Sequence, residues 1–346
     1  MDVVGDLKEV AGIINEGMRF LLTCHMKPDG DALGAMLGLG LVLEAAGREV
    51  RYYAQDPIPK GLGFLPGSAG IEDRFQTDYV VSAILVILDC NEPSRIGDEG
   101  ERLLELAERV VVLDHHVGDN LHCRHRRRNE RGKCYGYIDV DACSTAVIVM
   151  DLLQHLNWPL TKESSTCLYT GLFTDTGSFR HSNTDKKAFL SAARLLDAGV
   201  DNYYVANKIC QNCPKERLEL LGLVLKTLEI HEHGLFAMIH VTPKMFDITG
   251  ATEDDINDFI CYPRSIDTVE LAAFVKEVRP GHVSVSLRSK NLVNCVEIAK
   301  KFGGGGHVRA SGFRIAGSVP EVREALLEAV HDYFKAKDLP ARMLHV

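Results

Sequence analysis

Short apolar runs alternate with helical patterns through the first half of the chain. The runs FLLTCH at 20–25, AILVILDC at 83–90 and RVVVLDHH at 109–116 are typical of buried strands, and helices are predicted over 32–46 and 99–108. Alternation of strands and helices predicts an α/β fold with a doubly wound, mainly parallel sheet, because parallel strands need a crossover connection. Ligands bind such sheets beyond the carboxyl ends of the strands.

The second half of the chain changes pattern. It stays helical as far as Gly199, and a weakly amphipathic helical stretch follows over 200–231. A smaller α+β unit comes next, in which strands LFAMIHV, VELAAFVKEV and HVSVSLRSK alternate with helices. We therefore expect one domain over 1–199, a helical linker over 200–231 and a second domain over 232–346, with the active site in the cleft between the domains.

Composition and charge exclude several classes of protein. The net charge of −9 argues against a protein that coats nucleic acid through overall positive charge. The apolar stretch over 79–88 is about half of the ~20 residues that a membrane span needs. The start MDVVGDLKEV lacks the basic region of a secretory signal. We expect a cytoplasmic protein that binds neither membranes nor DNA duplexes.

The segment HMKPDGD places three metal-ligand residues on one bend of the chain. His25, Asp29 and Asp31 lie close together, and Pro28 and Gly30 predict a tight turn rather than the start of a helix. Side chains on such a bend can converge on one point.

Further ligand-type residues are predicted at three other strand ends. Asp89 closes the run AILVILDC, Asp114, His115 and His116 close RVVVLD, and Asp175 lies in GLFTDTGSF. A carboxylate at the end of a buried strand is costly unless a positive charge meets it. Taken singly, an Asp after a strand is more often a helix N-cap, and a single His is more often an ordinary residue. Their gathering at one sheet edge predicts a cation site.

The charge of this residue set indicates two divalent ions. Four carboxylates balance two such ions, and two neutral imidazoles add nitrogen ligands. Oxygen and nitrogen donors without thiolates suit Mn²⁺ or Mg²⁺ better than a structural zinc, and we predict two Mn²⁺ ions, with Mg²⁺ as the alternative. The ligands predicted are His25, Asp29, Asp31, Asp89, His115 and Asp175.

A glycine run in the second half predicts an anion site. Gly304, Gly305 and Gly306 let a phosphate approach the backbone without side-chain hindrance, and His307 and Arg309 follow them. A flexible loop and the C-cap of the helix CVEIAKKF are the alternative interpretations.

Five motifs together resemble one family. HMKPDGDALG, ILDCNEPSRIG, LDHH, GLFTDTGSFRHSNT and FGGGGHVRASG occur in this order, and they resemble the signature blocks of the DHH phosphoesterase superfamily. The branch they resemble most is the bacterial oligoribonuclease and phosphoadenosine-phosphate phosphatase branch. The resemblance covers roughly 10–317 and implies a DHH catalytic domain followed by a DHH-associated nucleotide-binding domain.

The resemblance also implies roles for the predicted ligands. Asp89 would bridge the two manganese ions. The first ion would be held by His25, Asp29 and Asp89, and the second by Asp31, Asp89, His115 and Asp175.

Further roles follow from the same resemblance. His116 would face the substrate phosphate, and Asp114 would orient the histidines, so that both act with Asp89 in catalysis. Arg288 in SLRSK and the glycine run ending at His307 would hold the far end of the substrate.

We therefore predict a manganese-dependent phosphodiesterase with a two-metal mechanism. Its substrates would be short oligoribonucleotides and 3'-phosphoadenosine 5'-phosphate, cleaved to nucleoside 5'-monophosphates. One alternative is a phosphodiesterase acting on cyclic di-AMP or linear dinucleotides, and a non-enzymatic alternative is a nucleotide-sensing binding protein. Short RNA, dinucleotides and phosphorylated nucleotides are the expected partners, with a homodimer left open.

An arginine-rich segment follows the LDHH motif. The stretch over 124–133 contains Arg124, Arg126, Arg127, Arg128, Arg131 and Lys133 with Glu130 as its one acid. A solvated surface loop and a guide for oligonucleotide phosphates are both compatible with this composition.

Overall fold

The computed structural model of the chain describes residues 4–116, 133–256 and 258–339. The chain divides into two units, Met1–Asn212 and Cys213–Val346. This division falls within 200–231, the stretch predicted as a helical linker. The arginine-rich segment, except for the strand residue Lys133, lies outside the described residues, so both interpretations of it stay predictions.

A seven-stranded sheet forms the centre of the first unit, in the order β1-β7-β6-β5-β2-β3-β4. All neighbouring strands are parallel except β1 and β7. The predicted mainly parallel sheet is therefore confirmed. The strands are β1 (Val4–Gly5), β2 (Arg19–Thr23), β3 (Glu49–Tyr53), β4 (Ile71–Glu72), β5 (Ile84–Leu88), β6 (Arg109–Asp114) and β7 (Lys133–Ile138).

Helices cover both faces of this sheet. Strand β5 is buried along its whole length, because Val86 packs into the core that includes α2 and Leu85 packs into the core that includes α3. The helices of this unit are α1 (Leu7–Glu16), α2 (Gly30–Ala45), α3 (Thr77–Ser82), α4 (Pro93–Ile96), α5 (Gly100–Leu106), α6 (Thr145–Leu156), α7 (Lys162–Asp175), α8 (Lys186–Asp197) and α9 (Asn202–Cys210).

The second unit contains a six-stranded sheet in the order β12-β13-β11-β10-β9-β8, in which only β9 and β10 are parallel neighbours. The predicted smaller α+β unit is confirmed by this arrangement. Its strands are β8 (Glu229–His231), β9 (Phe236–Val241), β10 (Leu271–Arg279), β11 (His282–Ser289), β12 (Gly305–His307) and β13 (Ala310–Ala316). Its helices are α10 (Lys215–Leu225), α11 (Pro243–Thr249), α12 (Cys261–Arg264), α13 (Cys295–Lys300) and α14 (Val319–Lys337).

Two separate cores cover the faces of this second sheet. Helices α13 and α14 pack against one face through Val275, Val285 and Phe313. On the other face, α10 packs over β9 and over Phe274 of β10. No helix among the described residues is both long enough and apolar enough to cross a lipid bilayer.

Candidate metal centre

Three neighbouring strands bring predicted ligands to one edge of the first sheet. Strand β5 pairs with β2 on one side and with β6 on the other. His25 lies two residues beyond β2, Asp89 follows β5 directly, and Asp114 is the last residue of β6. The strand ends therefore place these side chains beside one another, as parallel pairing predicts.

Asp29 begins helix α2 as its N-cap residue. Its side chain accepts hydrogen bonds from the backbone N–H groups of Asp31 and Ala32, each at 3.0 Å. The prediction of a turn rather than a helix start is therefore wrong, because an Asp cap satisfies the first free N–H groups of a helix and Gly30 is tolerated after it. The cap fixes Asp31 in the first helical turn.

The N-terminus of helix α6 holds the buried carboxylates. Asp31, which is 1% exposed, accepts the backbone N–H of Thr145 at 2.6 Å and that of Ala146 at 3.0 Å. The Thr145 hydroxyl donates to Asp89 Oδ1 at 2.8 Å. Free N–H groups at a helix N-terminus stabilise negative charge. Sequence reasoning missed Thr145, although the N-cap pattern Ser144-Thr145 marks the start of this helix.

Asp175 is the last residue of helix α7 and does not follow a strand. The prediction of a strand end is wrong here, because the apolar segment before Asp175 forms a buried helix. A carboxylate at a helix C-terminus meets the negative end of the helix dipole. Burial raises the pKa of Asp175, and the charges of Asp89 and Asp29 add to that increase, opposed by His115. Asn183 Nδ2 donates to Asp175 Oδ2 at 3.2 Å, but no lysine or arginine among the described residues forms an ion pair with this carboxylate.

His115 presents a ring nitrogen that the protein leaves without a partner. Its Nδ1 lies 3.2 Å from the carbonyl oxygen of Ala142 and must donate to it, so Nε2 keeps a free lone pair. Nε2 is buried and has no hydrogen-bond partner. It lies 3.6 Å from Asp89 Oδ1, 3.8 Å from Asp31 Oδ2 and 3.9 Å from Asp175 Oδ2. A cation among these atoms would satisfy all of them.

His25 has the same arrangement on the other side of Asp89. Its Nδ1 lies 2.8 Å from the carbonyl oxygen of Met26, and its Nε2 lies 3.4 Å from Asp89 Oδ2 and 3.9 Å from Asp29 Oδ1. Burial is the largest single influence on the pKa of His25 and lowers it, but the hydrogen bonds with Asp89 and with the Met26 carbonyl and the charges of Asp29 and Asp89 together raise the pKa above its usual value. A metal ion at this position would therefore displace a proton.

The two oxygens of Asp89 face two different groups of ligands. Oδ2 faces His25, whereas Oδ1 faces His115. Groups whose ligand atoms lie within 4.8 Å of one another are His25, Asp29 and Asp89; Asp31, His115 and Asp175; and Asp89, His115 and His116. The predicted ligands are thus brought together, and Asp89 lies between the two sides.

The backbone at Asp89 is strained. Its φ of 58° lies in the left-handed region, which non-glycine residues rarely adopt. Burial alone would raise the pKa of Asp89, but the hydrogen bond with His25 and the nearby His116 and His115 lower it. Strain of this kind concentrates at functional sites. The donor set, its charge and the unpaired His115 nitrogen together fit divalent cations.

Asp114 orients the histidine beside this centre. It is fully buried, and its Oδ1 accepts from the backbone N–H of His115 at 2.8 Å, the N–H of His116 at 3.1 Å and His116 Nδ1 at 2.8 Å. The hydrogen bond with Asp114 raises the pKa of His116. His116 is the more exposed of the two histidines, with 41% of its side chain accessible, so its Nε2 remains available.

Comparisons with known proteins identify the family of this chain. The DHH family, N-terminal domain, matches residues 19–172, and the DHHA1 domain matches residues 242–336. A bifunctional oligoribonuclease and PAP phosphatase, NrnA, from Thermus thermophilus is 35% identical over 318 residues, which are 92% of this chain and 90% of the relative. The chain belongs to the DHH family. It is a phosphoesterase, as its motifs predict.

Two further proteins resemble this DHH chain. Cyclic-di-AMP phosphodiesterase GdpP from Geobacillus thermodenitrificans is 27% identical over 93% of the chain, which spans 49% of that relative. The crystal structure of an exopolyphosphatase-related protein from Bacteroides fragilis superposes with a TM-score of 0.84 at 25% identity, covering 96% of this chain and 97% of the other.

Arg95 lies in the first unit, Met1–Asn212, which is called the DHH unit from here on. It is a charged residue that sequence reasoning missed. It lies in the short helix α4, which follows Asp89. Its positive charge is near enough to oppose protonation of His116 and to lower the pKa of the Cys90 thiol against the effect of burial. The signal was visible in the motif ILDCNEPSRIG, where Arg95 follows Asp89 after a short interval.

In the second unit, Cys213–Val346, which is called the DHHA1 unit from here on, the glycine run both caps a helix and begins a strand. The N–H groups of Gly303 and Gly304 donate to the carbonyl oxygens of Lys300 and Ala299 and cap helix α13. The cap interpretation therefore holds for these two residues, and the Gly304 N–H is not free for a ligand while the cap is formed. Gly305 and Gly306 begin the edge strand β12, which exposes part of its backbone polar groups.

The other residues predicted to hold the far end of the substrate lie at the same end of this sheet. Together with the glycine run they are called the clamp below. Arg288 on β11 is opposite Ala310 on β13, which is in turn opposite His307 on β12. The backbone N–H of Ser289 donates to the carbonyl of Arg309 at 3.0 Å. The structure thus brings Arg288, His307 and Arg309 into one neighbourhood of the DHHA1 unit.

Metal binding should be visible as thermal stability. Mn²⁺ at about a hundred times its Kd should stabilise the protein by ~2.7 kcal/mol, which is roughly 5–10 °C in the melting temperature of a unit of this size. The increase should shrink as the pH falls through the raised pKa of His25, because the ion then competes with a proton. Calorimetry in EDTA and in Mn²⁺ measures this difference.

Asp31→Asn removes one carboxylate from the metal centre and should abolish most of the increase in melting temperature that Mn²⁺ causes. Asp201→Asn is the matched control, since Asp201 caps helix α9 and Asn caps equally well. Equal melting temperatures for the parent protein in EDTA and in Mn²⁺ would contradict a metal centre at this position.

Proposed function

We propose that this protein hydrolyses short oligoribonucleotides and 3'-phosphoadenosine 5'-phosphate in a manganese-dependent reaction. The position of Asp89 between two ligand groups supports phosphoester chemistry with two cations. The 35% identity to a bifunctional oligoribonuclease and PAP phosphatase supports the substrate class. The products would be nucleoside 5'-monophosphates.

The ligands proposed for the two ions form the groups already described. When bound, such ions act as Lewis acids on a phosphoryl oxygen and lower the pKa of water. Manganese is proposed because the donors are carboxylates and imidazoles without thiolates. The first group is His25, Asp29 and Asp89, and the second is Asp31, His115 and Asp175. Asp89 would join the second group as the shared ligand through Oδ1, which lies 3.6 Å from His115 Nε2.

His116 would act on the substrate itself. Its Nδ1 is engaged by Asp114, so Nε2 is the nitrogen that can meet a phosphoryl oxygen or the departing 3' oxygen. The raised pKa of His116 keeps a proton on the ring at higher pH, and that proton can stabilise developing negative charge. Asp114 would hold the ring in place, a role whose loss typically costs ~10–100-fold in activity.

The experiment that tests this function offers several substrates side by side. The full chain with Mn²⁺ is incubated with an RNA dinucleotide, a five-residue RNA, phosphoadenosine phosphate, cyclic di-AMP and pyrophosphate, and products are separated by chromatography. We expect the first three to give nucleoside 5'-monophosphates and EDTA to stop the reaction. Turnover of pyrophosphate alone would contradict the proposal.

Cyclic di-AMP hydrolysis is the second candidate function. It is favoured by the match of 93% of this chain to a cyclic-di-AMP phosphodiesterase at 27% identity. A higher kcat/KM for cyclic di-AMP than for the RNA dinucleotide would make it the principal activity.

The proposed clamp in the DHHA1 unit predicts a kinetic signature. Arg288→Ala and His307→Ala should each raise the KM for an RNA dinucleotide by about 10–100-fold, because a hydrogen bond to a charged group contributes ~1.5–3 kcal/mol. The value of kcat should change little, because the lost contact binds the substrate and the transition state equally. Steady-state kinetics with the dinucleotide and with bis-p-nitrophenyl phosphate measures the effect.

The small ester lacks a distal nucleotide and should be cleaved equally by variant and parent. Lys335→Ala, at an exposed position on helix α14, is the control for removal of a surface charge. Equal losses on both substrates would contradict a separate clamp.

A further inference from the structure

A row of polar and basic residues crosses the DHHA1 sheet away from the glycine run. Lys276 on β10 is directly opposite Ser284 on β11, and Ser284 is directly opposite Arg314 on β13. Residues directly opposite one another in antiparallel strands project from the same face of the sheet. Two cations therefore lie on either side of one hydroxyl.

This row borders a part of the sheet where the helical layer ends. Phe274, two residues before Lys276 on β10, is buried in the core formed with α10. Opposite Phe274 the next strands carry Ser286 and Gly312, which are small and only half-buried. The sheet therefore offers a surface of small side chains beside the row.

A pocket of about 600 Å³ lies at this end of the sheet. Its lining includes Lys276, Arg279, His282, Ser284, Arg314 and Glu253. Pockets of ~300–1,000 Å³ are typical of small-molecule sites. One lysine and two arginines line the pocket together with a single carboxylate, which leaves an excess of positive charge.

The cations of this pocket are compensated only in part, by the carboxylate of Glu253. Among the residues that the structure describes, Lys276, Arg279 and Arg314 have no ion pair. The Lys276 ammonium lies 5.7 Å from the centre of the Phe274 ring. Elsewhere in this unit, Arg323 is paired with Glu229. The pocket therefore concentrates positive charge that is only partly compensated.

The pKa of Lys276 is consistent with this charge. Burial lowers the pKa, the positive charges of Arg288 and Arg314 lower it further, and Glu253 opposes them only in part. An anion in the pocket would oppose both effects.

We propose that this pocket, called the β11 pocket, binds a phosphate monoester or inorganic phosphate as a dianion. Arginine and lysine together with a serine hydroxyl are donors that match phosphate oxygens. The pocket volume is sufficient for a nucleotide, so the free ion and the nucleoside monophosphate are two sources of the same chemistry.

The β11 pocket is centred nearer the start of β11 than the clamp residue Arg288, which does not line it, although the charge of Arg288 reaches Lys276. Ser284 and Arg288 are four residues apart on β11, which separates their backbones by roughly 13 Å at ~3.3 Å per residue. The proposal does not depend on the hydrolytic function, since it concerns binding to the DHHA1 unit alone.

Calorimetric titration of the full chain with inorganic phosphate, AMP and adenosine tests the proposal. EDTA and about 150 mM NaCl are present, so that the metal centre does not retain phosphate and weak surface binding is screened. The variants are Lys276→Met, Arg314→Gln and the control Lys335→Met. Arg314 is exposed, so its variant should fold even if the change at Lys276 perturbs packing.

We expect phosphate and AMP to bind the parent protein and the Lys335→Met control, and each pocket variant to weaken that binding tenfold or more. AMP binding more tightly than phosphate would identify a nucleotide site, and equal affinities would identify a site for the free ion; both support the proposal. No binding to the parent, or unchanged binding to Arg314→Gln, would overturn it. Adenosine binding that both pocket variants retain in full, with no phosphate binding, would also overturn it.

Discussion

Asp89→Asn is expected to abolish turnover on every phosphoester substrate. Asp89 faces His25 with one oxygen and His115 with the other. The amide replaces one of these oxygens by an NH2 group, which cannot bind a cation, and it removes the negative charge that both sides share. A metal ion contributes several kcal/mol to such a reaction, and each ~1.4 kcal/mol is a factor of ten in rate. We therefore expect kcat to fall roughly a thousandfold or more at saturating Mn²⁺.

This substitution is mild for the fold. Asn, like Asp, is enriched at positive φ among non-glycine residues, and Asp89 has a φ of 58°. Its amide oxygen can still accept the Thr145 hydroxyl. Circular dichroism of the variant should match that of the parent, and Asp201→Asn should keep its activity. A folded Asp89→Asn protein that retains more than a few per cent of kcat would exclude Asp89 as the shared ligand.

The central strands could be predicted because they are apolar on both faces. Strand β5 is an uninterrupted apolar run, and only a buried parallel strand or a buried helix has this pattern. Strand β7 was not predicted, because KCYGYI contains a glycine and begins at the end of the arginine-rich segment. Its strand conformation depends on pairing with β6, which is tertiary information.

The ligand residues could be found by their type, but their local structure could not. Asp29 combines a helix cap with a position in a ligand group, so the two interpretations of an aspartate after a strand are compatible. Asp175 reaches the same centre from a helix end. Thr145 had no distinguishing chemistry in the sequence, since its role depends on Asp31 and Asp89 lying at the end of its helix.

A glycine repeat in helix α2 was visible in the sequence, but its structural role was not. Gly30, Gly34 and Gly38 occur at intervals of four in helix α2, which places them on one face. A Cβ on Gly34 would lie 2.5 Å from the carbonyl oxygen of Cys167 and 2.8 Å from the backbone nitrogen of Gly171, both in helix α7. The glycines therefore allow two helices to approach closely, and these helices bear Asp31 and Asp175.

Gly34→Ala is consequently expected to destabilise the protein and to weaken the metal centre. The atoms that the new methyl group meets are backbone atoms, so α2 and α7 must move apart, and overpacking of this kind typically costs ~1–3 kcal/mol. The movement should also separate Asp31 from Asp175, which lie in one ligand group. Thermal denaturation should show a lower melting temperature, and titration with Mn²⁺ should show weaker binding.

Gly12→Ala is the matched control, and it should change the melting temperature in the opposite direction. Gly12 lies inside helix α1, and a Cβ there would have no neighbour within 4 Å. Alanine is favoured over glycine in a helix interior by ~0.5–1 kcal/mol, so this variant should melt at a higher temperature with unchanged Mn²⁺ affinity. Comparing Gly→Ala at the two positions thus distinguishes the effect of helix propensity from the effect of close packing between helices. If Gly34→Ala also raised the melting temperature and left Mn²⁺ affinity intact, contact between α2 and α7 would not be what positions Asp31 and Asp175.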